Sequence, residues 1–268
     1  MKRLTVLGVL CALAVPMSPT MVFADMGPSG WIVIPEAIWA AASGGGTWVT
    51  SLQIIASVSG TSVGVQFFYQ NGADFRTVSL FTSVPTRETV RYNNILQHLG
   101  TIDTDFTYYG RVGMLLIFGQ DASHPVWAQA LTANGNYGKT YPSFVWKATA
   151  NTAEVGRQMI IMGIMNDATF RTGTGFWNST FGDMNVTFYV MAWQNSAYGS
   201  FTKTFTPHGF LSFNPFTEAG LGASTITNAW LWVWPTVSSG TGEGLFCFGS
   251  LANNSTNDTY ALIAQPFQ

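Results

Sequence analysis

Charged residues are scarce in this sequence. Asp, Glu, Lys and Arg make up 9% of its 268 residues, against about 25% in a typical soluble domain. Lys and Arg form no cluster, and clustered basic residues are what DNA and RNA binding requires. The sequence therefore predicts no nucleic-acid partner. Aromatic residues reach 15%, and uncharged polar residues carry much of the polar surface, as in exported all-β proteins and proteins that assemble side by side.

Long apolar runs are also missing. No uninterrupted apolar stretch reaches the roughly 20 residues that cross a bilayer as a helix. Lys2 and Arg3 precede a short apolar region from Leu4 to Val15, and Val22-Phe23-Ala24 follows with small or short residues at the positions a signal peptidase reads. This pattern predicts a secretory signal peptide over residues 1–24. We expect a secreted, periplasmic or cell-surface protein without a transmembrane helix.

Cysteine is nearly absent. Cys11 lies in the predicted signal peptide, so Cys247 alone remains after cleavage and no intramolecular disulfide can form. The core must therefore hold the fold without covalent cross-links. Cys247 lies in the apolar run Leu245–Phe248, which predicts a buried small hydrophobic residue and not a nucleophile, because a reactive thiol needs an exposed, electropositive site.

Residue patterns for catalysis or metal binding are few. His98, His124 and His208 lack the spacing of a metal-binding pair, and no Gly-x-Ser-x-Gly elbow occurs. Asp103-Thr104-Asp105 places two carboxylates on one side of an extended segment, which suits either a calcium ligand set or a solvated loop. We predict the solvated loop, no metal site, no cofactor and no enzymatic activity.

Strand signals dominate the rest of the chain. Val63, Val65 and Phe67 alternate with small or polar residues, and Val186, Phe188 and Val190 repeat that alternation. A short strand over Trp31–Pro35 and a brief helical turn over Glu36–Ala42 are expected before them. Roughly seven short strands per unit, with turn signals between them, predict an all-β fold of immunoglobulin-like or jelly-roll-like sandwiches.

One series of landmarks occurs twice, with an offset near 122 residues. The matching pairs are Trp48-Val49-Thr50 with Phe170-Arg171-Thr172, Gln70-Asn71-Gly72 with Gln194-Asn195-Ser196, Pro85 with Pro207, Tyr92-Asn93-Asn94-Ile95 with Phe213-Asn214-Pro215-Phe216, Leu99-Gly100 with Leu221-Gly222, and Leu131–Asn134 with Leu251–Asn254. The series predicts a tandem duplication, with domains over residues 25–150 and 151–268. The copies agree at turn and core positions, so function is expected where they differ.

The densest unusual feature of the sequence is Trp230-Leu231-Trp232-Val233-Trp234. In a strand, the three tryptophans share one face and the aliphatic pair shares the other. If the aliphatic pair fills the core, Trp230, Trp232 and Trp234 line the exterior as a candidate binding strip; in the inverse arrangement they pack inside. The offset places Tyr108–Val112 at this point of the first copy, so the strip is expected in one unit only.

The order Ile34-Pro35-x-Ala37, an aromatic-x-Thr strand, a proline turn and an Asn-Pro-type segment resembles a repeat of uncharacterised tandem β-sandwich proteins exported by bacteria. The likeness extends over nearly the whole mature chain. The family pattern has Pro-Gly in the turn, where this chain has Pro85-Thr86 and Pro207-His208. The resemblance implies a surface or secreted, non-enzymatic role and supplies no catalytic residues.

Together these observations predict an exported structural, adhesive or surface-assembly protein. A carbohydrate-binding protein with the tryptophans as its platform is the first alternative. An outer-membrane β-barrel is the second, although the short strands and the long duplication favour two sandwiches. The expected partners are further copies of the chain, other surface proteins or a polysaccharide.

Overall fold

The computed structural model describes residues 31–267 except 43–44, 71–74, 85–87, 122, 136, 142–143, 146–151, 193–197 and 240–243. The predicted signal peptide, the repeat landmark Asn71-Gly72 and the predicted domain boundary after residue 150 lie outside the described residues.

The first half of the chain forms one antiparallel sheet and one helix. In order these are β1 (Trp31–Ala41), β2 (Thr47–Ala56), β3 (Thr61–Tyr69), β4 (Phe75–Val84), β5 (Thr89–Tyr92), α1 (Ile95–Ile102), β6 (Arg111–Gly119), β7 (Val126–Asn134), β8 (Tyr137–Tyr141) and β9 (Phe144–Val145). The strands lie in the order β4-β3-β6-β1-β2-β7-β8, with β5 paired to β2 and β9 paired to β1.

The second half forms a separate antiparallel sheet. Its elements are β10 (Thr152–Ala153), β11 (Gln158–Asn166), β12 (Phe170–Asn178), β13 (Met184–Ala192), β14 (Tyr198–Phe205), β15 (Phe210–Phe213), α2 (Pro215–Glu218), β16 (Ile226–Ser238), β17 (Leu245–Asn253), β18 (Thr259–Ile263) and β19 (Gln265–Phe267). The order is β10-β17-β12-β11-β16-β13-β14, with β15 on β12, β18 on β17 and β19 on β11.

Each strand of the first sheet has a counterpart with the same neighbours in the second, where the order runs in reverse, and β10 of the second sheet has no counterpart among the described strands of the first. The all-β class and the two-sandwich organisation are therefore confirmed, and the equal strand orders are what a duplication produces. The described residues contain nine strands in one sheet and ten in the other, more than the roughly seven expected, because short strands such as β5 and β9 pair beside the main order.

Each sheet has its own apolar core. Val63, Val65 and Phe67 are buried in the first, as the alternation predicted, together with residues of α1, β4 and β7. Val186, Phe188 and Val190 are buried in the equivalent core of the second sheet. Strands that lie far apart in the order of one sheet, such as β4 and β7, share a core, so each sheet bends over that core in two layers.

The expected helical turn over Glu36–Ala42 is wrong. Strand β1 continues through it, and the register with β6 shifts between Ile34 and Ala37. Pro35 lies at this shift, where a residue without an N–H breaks no regular ladder bond. The bulge thus lets one strand pass a proline that the sequence suggested was its end.

A third apolar cluster, which we call the seam, joins the outer faces of the two sheets. The first sheet supplies Val33, Phe68, Met114, Leu116, Tyr141 and Phe144, and the second supplies Trp177, Phe210, Phe246 and Phe248. The Phe68 and Trp177 ring centroids lie 4.7 Å apart. The Phe248 ring covers Gly175 and leaves no room for a Cβ there. A cavity of about 10 Å³ lies within the seam, lined by residues that include Met114, Trp177 and Phe246.

Candidate functional site

The tryptophan strip points outward. It lies in β16, where Leu231 and Val233 are buried in the second core, while Trp234 on the opposite face is 36% exposed. Trp230 and Trp232 are partly exposed beside it. Of the two arrangements that the alternation allowed, the aliphatic pair therefore fills the core and the indoles line the exterior.

Trp232 is the centre of an aromatic cluster on this face. Its ring centroid lies 5.3 Å from that of Trp234 at an interplanar angle of 15°, 5.1 Å from that of Phe267 and 5.3 Å from that of Tyr189. The indole Nε1 donates a hydrogen bond to Gln158 Oε1 at 2.9 Å. Trp232 and Trp234 are therefore stacked, and Trp230 packs beside Trp232 at a tilt, with ring centroids 6.3 Å apart.

Neighbouring strands extend the apolar surface. Ile160 pairs with Trp232 and Met162 with Trp230 across β11, while Tyr189 and Met191 pair with the same tryptophans across β13. Met162 is 55% exposed. We call this surface the tryptophan face; its residues are Ile160, Met162, Tyr189, Met191, Trp230, Trp232, Trp234 and Phe267.

Uncharged polar residues surround the tryptophan face. The outward positions that the structure describes on β11, β13, β14 and β16 hold no Asp, Glu, Lys or Arg. Hydroxyl and amide groups take their place: Thr187 and Thr202 lie 3.4 Å apart, and Thr204 Oγ1 donates to Asn185 Oδ1 at 2.7 Å. A partner therefore meets no fixed charge on this surface.

The sequence offset misplaced the counterpart of the strip. It predicted Tyr108–Val112, but strand register places Met114, Leu116 and Phe118 there. Leu116 lies between Val33 and Gln66, as Trp232 lies between Ile160 and Tyr189. The error arises because α1 has eight residues and α2 has four, so the offset changes before this strand.

The seam borders a polar cleft of about 410 Å³. Within it, Lys139 Nζ lies 2.9 Å from Glu36 Oε1, with both side chains largely buried at 9% and 13% exposure. The same ammonium donates to Ser250 Oγ at 2.8 Å. Burial, and next the Glu36 charge, raise the pKa of Tyr141 well above its ordinary value. The arrangement ties the two sheets together, and its charges are already neutralised within the protein.

The expectation of a solvated loop at Asp103-Thr104-Asp105 is wrong for its first residue. Asp103 is the C-cap of α1 and accepts hydrogen bonds from Arg76 Nε at 2.7 Å and Nη2 at 2.6 Å. Tyr108 OH donates to the same carboxylate at 3.0 Å. The Arg76 hydrogen bonds lower the pKa of Asp103, while Asp105 is exposed. The two carboxylates therefore do not act together.

Cys247 is buried, as predicted, and its thiol donates to the Leu245 carbonyl at 3.2 Å. Burial raises the pKa of this thiol far above its ordinary value, which opposes nucleophilic reactivity. The histidines have separate surroundings: His98 packs against Tyr92 with the rings tilted, His124 bonds to Asp121, and burial lowers the pKa of His208.

Within the described ranges, no three His, Cys, Asp or Glu side chains lie close enough to hold a metal ion together. Neither of the two helices described has the length and apolar character needed to cross a membrane. No protein-family model matches the chain, and no curated protein matches it.

Sequence reasoning found the tryptophans but missed the other members of their face. Ile160, Met162 and Phe267 come from strands far from β16 in the chain, and only sheet order brings them together. The alternation in Gln158–Met162 was a usable signal, since Met159 and Ile161 are buried and Ile160 and Met162 face outward. The seam had no comparable signal, because it joins residues from both copies.

Proposed function

We propose that this is an exported, non-enzymatic protein that works by adhesion or surface assembly, and that the tryptophan face is its contact surface. The observation that carries the proposal is the outward orientation of three indoles on an uncharged sheet face. Large exposed apolar patches mark interaction sites. Interface cores are rich in aromatic residues and methionine and poor in charge, which is the composition of this face.

Molar mass in solution tests the proposal. The whole chain is expressed in an exporting bacterium, and the purified exported protein is measured by size-exclusion chromatography with light scattering over a wide concentration range. We expect the mass to rise with concentration, because burying this face removes apolar surface from water. The rise is lost in Trp230→Thr/Trp232→Thr, which removes the indoles but keeps β-branched residues suited to a strand.

The matched control is Phe181→Ser, which removes an aromatic side chain that is 74% exposed and lies outside the tryptophan face. It is expected to behave like the wild type. A wild-type protein that stays monomeric at high concentration, and whose attachment to cells is unchanged by the double substitution, contradicts the proposal.

A saccharide ligand is the second candidate. The observation in its favour is the ring of amide and hydroxyl groups, including Gln158, Thr187 and Thr202, beside exposed indoles. The mutual stacking of Trp232 and Trp234 opposes it, because a sugar ring packs on an open indole face. A polysaccharide that binds the wild type and not Trp232→Thr, with no change in molar mass, favours this candidate over assembly.

A further inference from the structure

The seam is formed by two different surfaces. The first sheet contributes the outer face of β3, β6 and β1, centred on Met114 and Leu116. The second sheet contributes the outer face of β15, β12 and β17, centred on Trp177 and Phe248. Since the sheets are copies of one another, each surface has a counterpart that the seam does not cover.

The counterpart of the first surface is the tryptophan face. By strand register, Trp230 and Trp232 occupy the positions of Met114 and Leu116. Ile160 corresponds to Val33, because Ile160 pairs with Trp232 as Val33 pairs with Leu116. Met191 likewise corresponds to Phe68, because Met191 pairs with Trp230 as Phe68 pairs with Met114. The tryptophan face is therefore the second copy of a surface already used for packing in the first.

The counterpart of the second surface lies on β2 and β7. Ile55 and Trp127 pair across these strands and take the places of Trp177 and Phe246. In the same way, Gln53 and Gln129 take the places of Gly175 and Phe248. Trp127 is 36% exposed, and Leu131, the next outward residue after Gln129 on β7, is 43% exposed. We call this surface the β2–β7 face; its residues are Gln53, Ile55, Trp127, Gln129 and Leu131.

We propose that the tryptophan face of one chain packs on the β2–β7 face of a second copy, so that the seam within each chain is repeated between chains. This inference rests on the proposed role of the tryptophan face in contact. The two surfaces differ, so the contact is heterologous: each added copy presents a new tryptophan face, and the chain of molecules grows head to tail.

The contact between chains is weaker than the seam. The β2–β7 face has Thr89 where the second sheet has Phe210, and Gln129 where it has Phe248, as their pairing shows. It therefore offers less apolar area. Assembly is therefore expected to depend on protein concentration.

Two charge substitutions separate the faces. Gln129→Lys places a charge in the middle of the β2–β7 face, and Met162→Lys places one in the tryptophan face. Both positions are exposed, so the fold is expected to tolerate the changes, and circular dichroism with thermal melting checks this. If either variant is misfolded, Trp127→Thr or Trp232→Thr replaces it.

Each variant alone is expected to remain monomeric in light scattering of the exported protein. An equimolar mixture forms dimers of twice the monomer mass and nothing larger, because the intact tryptophan face of Gln129→Lys binds the intact β2–β7 face of Met162→Lys. If Gln129→Lys assembles like the wild type while Met162→Lys does not, the head-to-tail arrangement is overturned and the proposed function stands. A wild type that never assembles overturns the head-to-tail inference. The proposed function is then decided separately, by whether Trp230→Thr/Trp232→Thr changes the attachment of the protein to cells.

Discussion

Leu116 in the first sheet and Trp232 in the second occupy the same place between equivalent strands, yet Leu116 is 2% exposed and Trp232 lies on an open surface. The inner faces do not differ in this way, since both sheets bury their alternating aliphatic residues in a core. Strand periodicity decides which side chains face inward. Packing between the copies decides which outer face is covered, and it covers different outer faces in the two copies.

The largest effect is expected where an outer face is covered. Phe248→Ala removes a buried ring from the seam and should lower the free energy of unfolding by about 3–5 kcal/mol. Its counterpart Gln129 is exposed, so Gln129→Ala should change that free energy by about 0.5 kcal/mol or less. Urea denaturation of both variants measures the contrast. Equal losses would show that the seam does not distinguish the two sheets.

A smaller effect is expected at the polar edge of the seam. Lys139→Met leaves the Glu36 carboxylate buried without its partner, which should cost about 3 kcal/mol in the free energy of unfolding. Tyr260 takes the place of Lys139 in the second sheet by strand register and is 56% exposed. Tyr260→Thr is therefore the matched control, with little expected change. The Glu36→Gln/Lys139→Met protein should recover part of the lost free energy of unfolding, as measured by denaturation. No recovery would argue against an unpaired carboxylate as the cause of the loss.

The third contrast concerns ion pairs that link helices to edge strands. Arg76 binds Asp103 through two hydrogen bonds in the first unit, whereas Lys203 Nζ lies 2.7 Å from Glu218 Oε2 in the second. Asp103→Asn should cost about 1 kcal/mol, since Arg76 is partly solvated, and Glu218→Gln less than about 0.5 kcal/mol.

The Asp103 contribution should also depend on pH. The Arg76 hydrogen bonds lower the pKa of Asp103 in the folded state from its ordinary value of 3.8. The folded state therefore binds the proton less readily than the unfolded state, so the stabilisation is fully present above pH 4 and is lost as the pH falls through the folded pKa. Denaturation of wild type and Asp103→Asn at pH 6 and below pH 3 checks this, and a difference that grows at low pH would contradict it.

The sequence pattern correctly predicted the features that depend on residues close together in the chain. The buried sides of β3 and β13, the aliphatic or aromatic alternation of β16 and the burial of Cys247 all follow from period and apolarity. The turn over Glu36–Ala42 was predicted wrongly because a bulge at Pro35 depends on the neighbouring strand. The counterpart of the tryptophans was misplaced because two helices differ in length. The seam could not be predicted, since an outer apolar residue such as Leu116 looks the same whether or not another unit covers it.

The smallest effect concerns whether the two sheets open together. Cys247 lies where the first sheet has Ala128, since each pairs with the equivalent residue of the neighbouring strand, and both are buried. The Cys247→Ala/Ala128→Cys protein therefore moves the thiol between sheets with almost no change in stability.

Because burial raises the pKa of the Cys247 thiol, labelling by a thiol reagent requires an opening reaction, and its rate reports the free energy of that opening. A shared seam makes the two sheets one cooperative unit, so both proteins should label at the same rate under conditions where closing outpaces labelling. Faster labelling at position 128 would mean that the first sheet opens alone, and the seam would then be a contact between independently stable units.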